Sequence, residues 1–386
     1  MAVTYQQLVP VLYGTDAIAE MAKKIAAEKR QRAFIVCDKG VRMAGAADKI
    51  ADAIEAVGVS AYVYDECIPD APDTLVDEVA QIAADWKTDI IIGVGGGSST
   101  DTAKAAGVVM DNGGKLATYM EENDNPGFTI KTPVYVVPTA AGTGSECTPM
   151  CVIHEMASDT KKVVLRCAQL AVLDPTLTLT CPQSVTVNAG MDALSHAVEA
   201  YTSVNPNPKD MILAIHAIQI IAENIYTCVA EPNNIEARSN MMLAANLAGI
   251  AFAEMSVHVG HCFAHEVGLQ FKLNHGLACG LATPETIEFV AEQKEKEIRD
   301  IAGAMGIAMP EGVSAKEQGK IVADGVRALL HKCGMKSLRE LGVKREALLN
   351  CAKGAIDHNW FHVMCPGDVS YEQMAAFMAN VYDHYQ

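Results

Sequence analysis

The segment Asp89-Ile-Ile-Ile-Gly-Val-Gly-Gly-Gly-Ser-Ser-Thr-Asp-Thr-Ala-Lys104 decides the fold. Its apolar run predicts a buried strand, and consecutive glycines then lead into a helical pattern. Glycines at such a turn let backbone N–H groups approach a phosphate, and the N-terminus of the following helix favours negative charge. Gly95, Gly96, Gly97 and Ser98 are therefore candidate phosphate-binding residues, although Ser98 could instead only cap the helix.

The sequence on both sides of this segment alternates between strand and helix patterns. Strands are predicted at 33–37, 61–64, 89–93, 134–137, 162–165 and 170–173, with helices at 43–57 and 73–86 between the first three. This alternation is typical of a parallel sheet covered by helices. From about Pro182 onward, helical spacing dominates. We therefore predict an α/β nucleotide-binding domain over residues 1–183 and a helical domain over 184–386.

Composition limits the classes of function. The chain has 386 residues, a net charge of −17 and no basic run, which argues against nucleic-acid binding. We find no charge-free apolar run of membrane-spanning length and no signal-peptide pattern, so we expect a cytoplasmic protein without a membrane partner. Its 12 cysteines form no C-x-x-C pair, and we expect them to be reduced thiols. A homo-oligomer, specifically a dimer, is expected.

A cluster of histidines indicates a metal site. Four of the 11 histidines, His258, His261, His265 and His275, lie between residues 256 and 276, and the first three share a face if that segment is helical. Asp192 and His196 are four residues apart and so share a helical face as well. One carboxylate with several imidazoles suits Zn²⁺ or Fe²⁺ better than Ca²⁺ or Mg²⁺. A single histidine is more often an ordinary core or surface residue, but clustering favours a ligand role.

Two further segments add weaker nucleotide-binding candidates. Asp38 ends the first predicted strand, where its carboxylate could accept bonds from an adenosine ribose and repel a 2′-phosphate; alone, it is more often a turn residue. The segment 138–146 is rich in small hydroxyl residues and glycine, which could line a pyrophosphate or nicotinamide site. The dinucleotide fingerprint itself is incomplete, because Ser98 stands where a third glycine is expected.

Together these motifs resemble the iron-dependent (group III) alcohol dehydrogenases. The resemblance rests on Gly95–Ser98 with Asp101 and Lys104, on 138–146, on Asp174-Pro175, on 190–201 and on His261, His265 and His275-Gly276, in order along nearly the whole chain. It implies a Rossmann-like domain followed by an all-α metal-binding domain, the dehydroquinate synthase-like architecture. It also implies NAD and Fe²⁺ as cofactors, with Zn²⁺ as a possible replacement.

The resemblance also implies roles for individual residues. The metal ligands would be Asp192, His196, His261 and His275, and His265 would lie beside the nicotinamide and transfer a proton. The cofactor-binding matches are Asp38, which would select NAD over NADP, with Asp70, Gly95, Gly96, Gly97, Ser98, Asp101, Thr139, Thr143, Lys162 and Thr178. The metal would act as a Lewis acid while hydride moves to or from the nicotinamide.

Departures from the family pattern concern the substrate. Relatives usually have Asn, Gly and Pro at the positions of Glu254, His258 and Asn274. Glu254 and His258 suggest a polar substrate cavity and hence a short polar or anionic aldehyde of the lactaldehyde, sulfoacetaldehyde or semialdehyde type. Two other classes stay open: a metal- and NAD-dependent lyase of the dehydroquinate-synthase kind, and a non-catalytic protein that binds NAD and metal.

Overall fold

The computed structural model describes residues 4–123 and 125–386 and divides them into two compact units. The α/β unit contains residues 7–140 and 144–181, and the helical unit contains residues 4–6, 141–143 and 182–386. The two short segments differ from the predicted domain ranges. Gln6 belongs with the helical unit because its N–H donates to Glu254. Gly142 also belongs with the helical unit, because it packs directly against Ala189: a Cβ at Gly142 would come within 2.6 Å of the Ala189 carbonyl oxygen.

The α/β unit is built on a parallel sheet with the order β1-β8-β5-β4-β2-β3 and on a separate antiparallel pair, β6-β7. The strands are β1 Val11–Tyr13, β2 Arg32–Val36, β3 Ser60–Tyr64, β4 Ile90–Gly95, β5 Val134–Pro138, β6 Met150–Glu155, β7 Thr160–Leu165 and β8 Leu170–Leu173. The six predicted strands are present. The strand predicted at 162–165, however, belongs to the antiparallel pair, whose partner β6 was not predicted.

Helices cover both faces of the parallel sheet. They are α1 Ala17–Ala27, α2 Lys39–Met43, α3 Ala46–Glu55, α4 Asp73–Asp85 and α5 Gly97–Asn112, with short 3₁₀ helices at Leu116–Tyr119, Glu121–Asn123 and Pro175–Thr178. Successive strand residues point to opposite faces. Accordingly, Phe34 packs in the core beneath α4 and α5, whereas Ile35 packs in the core beneath α1 and α3. The central strands are buried on both faces, which explains their continuous apolar sequences.

The helical unit surrounds helix α6. Its helices are α6 Gln183–Thr202, α7 Pro208–Ala230, α8 Ile235–Met255, α9 Val259–Phe271, α10 His275–Val290, α11 Glu295–Ala304, α12 Ala315–Lys332, α13 Arg345–Leu349, α14 Ala352–Asp357 and α15 Tyr371–His384, with a 3₁₀ helix at Trp360–Met364. Helix α6 packs against α7, α8 and α10. From Gly190 to its end, every α6 side chain is buried. Polar residues in that stretch therefore face the protein interior, where they need partners.

Helix α7 is long and apolar enough, by length and composition alone, to cross a membrane. The sequence expectation missed it because that test required a run without any charge. Helices α8 and α9 pass the same test only as a pair, and they are bent by 106° at their junction. Helix α7 packs against α6 and α8, as a core helix of a helical bundle does.

Candidate metal and nucleotide sites

Four side chains in the helical unit bring their ligand atoms together. Asp192 from α6, His261 from α9, and His275 and Cys279 from α10 each offer one atom, and these atoms all lie within 4.8 Å of one another. The Nε2 atom of His275 is 3.7 Å from Oδ1 of Asp192. That Oδ1 atom is buried and has no hydrogen-bond partner in the structure. A buried carboxylate oxygen without a partner is costly, and a divalent ion among these atoms would satisfy it.

The start of α10 brings His275 to this cluster. Asn274 caps the helix, since its side-chain oxygen accepts a bond from the N–H of Leu277 at 3.2 Å. The next residue after His275 is Gly276, where an added Cβ would overlap the Asn188 carbonyl group and lie 3.1 Å from the Cβ of Asp192. Only glycine lets α10 begin this close to α6. The His-Gly pair therefore has a packing role as well as a ligand role.

His196, the fourth predicted ligand, lies beside this cluster but is not one of its four members. Its Nε2 atom is 3.8 Å from Oδ1 of Asp192. The ring is stacked on Phe252, with the centroids 4.2 Å apart, and on His261, with the centroids 4.8 Å apart. Burial lowers the pKa of His196 to about 4, so the imidazole is neutral near pH 7, as a metal ligand must be. The ligand role of His196 thus stays a prediction.

Glu199 is a residue that the sequence analysis missed. Its Oε1 atom is 2.6 Å from Nδ1 of His261, and its Oε2 atom accepts the N–H of His258 at 2.5 Å. Burial raises the pKa of this carboxyl group, but the adjacent His261 and His258 together outweigh that effect and lower the pKa to about 2. An ionised Glu199 keeps the proton of His261 on Nδ1 and leaves Nε2 open toward the cluster. Its spacing offered a signal, because Asp192, His196 and Glu199 follow each other at helical intervals.

His265 lies one turn further along α9 and is half-buried. Its ring centroid is 5.3 Å from that of His275 and 5.3 Å from that of Phe361. Its Nδ1 atom is 3.0 Å from Oδ1 of Asn359, a residue that no sequence pattern indicated. Because an amide oxygen only accepts, this contact places a proton on Nδ1 and leaves Nε2 as the basic nitrogen of a neutral ring.

The structure does not support the substrate role suggested for His258, and that of Glu254 stays a prediction. His258 is completely buried and is not on the same helical face as His261, because it precedes α9 as its N-cap residue. Its Nε2 atom is 2.9 Å from the hydroxyl group of Thr202. Glu254 accepts bonds from Gln6 and from Asn207, at 3.2 and 3.0 Å. Both side chains are therefore used within the helical unit, one in its core and the other at its surface.

In the α/β unit, the strand order changes direction between β2 and β4. The chain runs outward from β2 to β3, and then continues on the other side of β2 through β4, β5 and β8. Open parallel sheets bind ligands at the carboxyl edge of such a pair of strands. Asp38 follows β2 at this edge, Gly95 ends β4, and Gly96 and Gly97 follow it. Gly95 has a φ of 141°, and a Cβ there would meet the Ser99 hydroxyl group at 3.0 Å, so the turn requires glycine.

Asp38 and Ser98 have defined hydrogen bonds at this edge. Asp38 caps α2, since its Oδ1 atom accepts the N–H of Val41 at 2.9 Å. The turn-residue role and a ribose role are compatible, because the carboxylate has a second oxygen. Ser98 does not cap α5; it lies inside that helix, and its Oγ atom accepts the N–H of Asp70 at 3.1 Å. Asp70 has a φ of 65° and forms an ion pair with Lys161 at 2.9 Å.

The remaining predicted cofactor residues have structural partners. Asp101 accepts bonds from Ser145 and from the N–H of Val152, at 2.5 and 3.0 Å. It also pairs with Lys104, which is completely buried. These contacts attach the β6-β7 pair to α5. Asp101 is therefore engaged within the α/β unit, and its contact with the cofactor stays a prediction.

The last four of these residues, Lys162, Thr139, Thr143 and Thr178, each lie in a different setting. The Lys162 ammonium group binds Glu155 at 2.6 Å and Asn123 at 2.5 Å, so it is already paired. The Thr178 hydroxyl group donates to the Pro175 carbonyl at 2.8 Å. Thr139 directly follows β5 and is buried, and its N–H donates to the carbonyl oxygen of Gly95. Thr143 is half-buried and belongs to the helical unit. None of these contacts tests cofactor binding, which stays a prediction for all four.

The two sites together define a class of enzyme. A glycine-rich loop at the switch point of a parallel sheet suits a dinucleotide, and a buried Asp/His/His/Cys cluster suits a divalent transition metal. Residues 9–175 match the iron-containing alcohol dehydrogenase family, and residues 186–382 match its C-terminal part, described as Fe-containing alcohol dehydrogenase family, C-terminal. The chain belongs to this family. It is an NAD-dependent oxidoreductase, and iron is the metal of the family.

Individual relatives agree with this assignment. The chain is 32% identical over 351 residues to an NAD-dependent methanol dehydrogenase of Bacillus methanolicus, covering 89% of this chain and 91% of that protein. It is 30% identical to a sulfoacetaldehyde reductase of Bilophila wadsworthia, covering 92% of each. The crystal structure of a 1,3-propanediol oxidoreductase superimposes with a TM-score of 0.91 at 30% identity, over 98% of this chain and 100% of the other. The predicted fold and family are confirmed.

Proposed function

We propose that this protein interconverts a small primary alcohol and its aldehyde with NAD(H) at a divalent metal, and that its main substrate is a short polar or anionic aldehyde. The observation that carries the proposal is the buried Oδ1 atom of Asp192, which has no hydrogen-bond partner and lies among His261, His275 and Cys279. A lyase or a purely binding protein would also hold a metal. Membership of the alcohol dehydrogenase family favours the oxidoreductase.

The residues around the cluster have separable tasks. A divalent ion would supply Lewis acidity toward the substrate oxygen, and the nicotinamide would supply or accept hydride. The ion would be held by the four predicted ligands, Asp192, His196, His261 and His275. Glu199 orients His261 through its Nδ1 atom. His265 has its Nδ1 atom fixed by Asn359. It is thereby prepared to accept or release a proton at Nε2 as the alcohol and aldehyde interconvert.

The preference for a polar or anionic aldehyde needs support other than Glu254 and His258. The relative named a sulfoacetaldehyde reductase covers 92% of this chain and supports the anionic class. The family also includes a relative named for methanol. A panel must therefore contain both kinds of substrate: lactaldehyde, sulfoacetaldehyde and succinic semialdehyde on one side, propanal and butanal on the other.

An NADH oxidation assay tests the function. Metal-loaded protein is mixed with NADH and each aldehyde, and absorbance is followed against a His275→Ala variant prepared in the same way. We expect turnover in the parent protein and loss of turnover in the variant. No net oxidation with any aldehyde, but consumption of a phosphorylated sugar acid, would indicate the lyase. NADH binding without any reaction would indicate a non-catalytic protein.

We also propose that the protein acts in the cytoplasm as a homodimer, without nucleic acid or membrane. All twelve cysteines are thiols, which fits a reducing compartment. The edge strand β1 has one side unpaired in the sheet, which is compatible with association of two chains. Light scattering on purified protein measures the oligomeric state. Fractionation of the source cells measures the location, and a single-chain mass or a membrane-bound pool would contradict these proposals.

A further inference from the structure

Glu199 on α6 also caps the N-terminus of α9. Its Oε2 atom accepts the N–H of His258 at 2.5 Å and that of His261 at 3.4 Å. Both N–H groups lie at the start of α9, where a helix has no acceptor of its own for them. The side chain of His258, the N-cap residue, makes no capping bond. A carboxylate from another helix therefore replaces the local cap, and its charge suits the positive end of the helix dipole.

The other oxygen of this carboxylate contacts a predicted metal ligand. The Oε1 atom of Glu199 is 2.6 Å from Nδ1 of His261 and accepts the hydroxyl group of Ser195 at 3.1 Å. The Glu199 side chain is completely buried. One side chain of α6 thus fixes both the start of α9 and the ring that α9 contributes to the metal cluster.

Gly260 leaves the space that the carboxylate occupies. A Cβ at Gly260 would lie 2.7 Å from Oε1 of Glu199 and 2.6 Å from the hydroxyl oxygen of Thr286. Nonbonded heavy atoms pack at about 3.5 Å, so the carboxylate would have to retreat by about 0.8 Å. A shift of that size is enough to take the 2.6 Å contact with His261 beyond the usual range of hydrogen bonds.

Space, and not backbone conformation, requires glycine at this position. Gly260 lies inside the regular helix α9, where alanine is the better helix former. Thr286 on α10 bounds the other side of the space, and its hydroxyl group is bonded to the Ala282 carbonyl at 3.0 Å. A side chain at position 260 would therefore press on the Glu199 carboxylate from one side while α10 restricts the other.

We propose that Gly260 is a positioning residue of the metal site and acts through Glu199 on His261. This inference rests on the metal-dependent function proposed above and adds a residue that contributes without being a ligand. The missing side chain lets the Glu199 carboxylate reach the first turn of α9 and hold the His261 ring with Nε2 toward the other predicted ligands. Because one carboxylate serves both contacts, binding of the ion also stabilises the first turn of α9.

Gly260→Ala in the full-length protein tests the proposal, with Gly268→Ala as the matched control. Both substitutions replace a glycine inside α9, but a Cβ at Gly268 would meet only the Leu273 carbonyl oxygen, at an ordinary 3.6 Å. We expect Gly260→Ala to weaken zinc binding by about 10–100-fold in competition with a chelator, the usual effect of losing the partner of a ligand. Gly268→Ala should keep the parent affinity. The visible spectrum of the cobalt-loaded protein, which reports ligand geometry, should change in Gly260→Ala alone.

A double-mutant cycle separates positioning from a general packing defect. Glu199→Gln should weaken zinc binding as well, and adding Gly260→Ala should then cause little further loss, because the carboxylate that it displaces is already gone. A packing defect would add its own loss to that of Glu199→Gln. Hydrogen exchange gives an independent readout: zinc should slow exchange of the His258 and His261 amides in the parent protein and in Gly268→Ala, and slow it less in Gly260→Ala.

Ser195→Ala replaces Gly260→Ala if that variant does not fold, because it removes a hydroxyl group that holds Oε1 of Glu199 without adding an atom. Its zinc affinity should fall below that of Gly268→Ala. Parent affinity in the variant tested would overturn the positioning role and leave the oxidoreductase function intact. Weakened zinc binding, in a protein whose parent turns over no aldehyde, would do the reverse. Failure of the parent protein to bind any divalent metal would overturn both.

Discussion

The Oε1 atom of Glu199 lies 2.6 Å from the Nδ1 atom of His261, and both side chains are buried. The hydroxyl group of Ser195 donates to the same oxygen at 3.1 Å. This contact sets which nitrogen of His261 carries the proton, and therefore which nitrogen faces Asp192, His275 and Cys279. The carboxylate is charged at neutral pH because its pKa is held at about 2, chiefly by His261 in opposition to burial.

Replacing Glu199 by Gln should weaken metal binding by about 10–100-fold, because a neutral amide no longer increases the basicity of His261 or fixes its tautomer. Chelator competition gives the affinity, and circular dichroism checks the fold. The matched control is Glu288→Gln, which removes a carboxylate further along α10 that binds Arg327. Equal metal affinity in both variants would show that Glu199 does not contribute to metal binding through His261.

The strands, and the shared helical face of Asp192 and His196, were predictable from the sequence. Strand β4 was recognised because it is buried on both faces and is therefore a continuous apolar run. Asp192 and His196 were recognised because they share one face of α6. The partners of those residues were not predictable in the same way. Cys279 looks like an ordinary buried thiol, and Asn359 lies 94 positions from His265, which it contacts only in the folded chain.

The placement of His258 and of Lys162 shows what the sequence could not give. Lys162 is paired with Glu155 across the β6-β7 pair, and its role at the cofactor stays a prediction. His258 was placed on the helical face of His261 by spacing alone. The helix, however, begins only at Val259, and the backbone of His258 has non-helical angles of φ −145° and ψ −122°. In both cases tertiary contacts set the surroundings of a residue, which local spacing could not predict.

Asp38 should control the choice between NADH and NADPH. A 2′-phosphate next to its carboxylate would add repulsion between like charges at short range. Asp38→Asn removes the charge and keeps a good N-cap for α2, so it separates cofactor preference from stability. We expect the NADH preference in kcat/KM to fall by roughly tenfold or more, since 1.4 kcal/mol already corresponds to tenfold.

Asp38→Gly should also reduce the preference for NADH over NADPH in kcat/KM. It should cost a small additional amount of stability, because it removes the side-chain cap of α2. The comparison of the two variants is made by measuring kcat/KM with both cofactors and the thermal midpoint of unfolding. Equal efficiency of the parent protein with NADH and NADPH would contradict the assignment of Asp38.

His265→Ala should leave metal content near normal and lower turnover by about 10²–10⁴-fold, the usual contribution of a positioned acid or base. The dependence of kcat on pH should also flatten, because the imidazole that exchanges the proton is gone. Metal analysis and pH profiles of kcat measure the two effects. His331→Ala is the control, since that histidine stacks on Tyr385 elsewhere in the helical unit. Loss of metal together with activity would instead make His265 a ligand.

The ion pair of Glu155 with Lys162 should make the α/β unit sensitive to acid. Hydrogen bonds from Lys162 and Ser158 lower the pKa of Glu155 from 4.5 to about 2. A carboxyl group with a lowered pKa stabilises the fold fully above its unfolded value, and this stabilisation disappears as the pH falls from about 4.5 to about 2. Glu155→Gln should therefore lower the thermal midpoint at pH 7 and reduce its decline in acid. Glu55→Gln, an exposed glutamate on α3, should leave the pH profile of the parent protein unchanged.

His258 should act on stability and not on substrate choice. Burial lowers the pKa of His258 to about 4, so the ring is neutral near pH 7 and has no charge with which to attract an anionic aldehyde. His258→Ala should cost about 2–4 kcal/mol of unfolding free energy, because it leaves a cavity and removes one hydrogen-bond partner of the Thr202 hydroxyl group. Urea unfolding measures that loss. In kinetics with sulfoacetaldehyde and propanal, the ratio of the two KM values should equal that of the parent protein. A rise in KM for sulfoacetaldehyde alone would place His258 at the substrate after all.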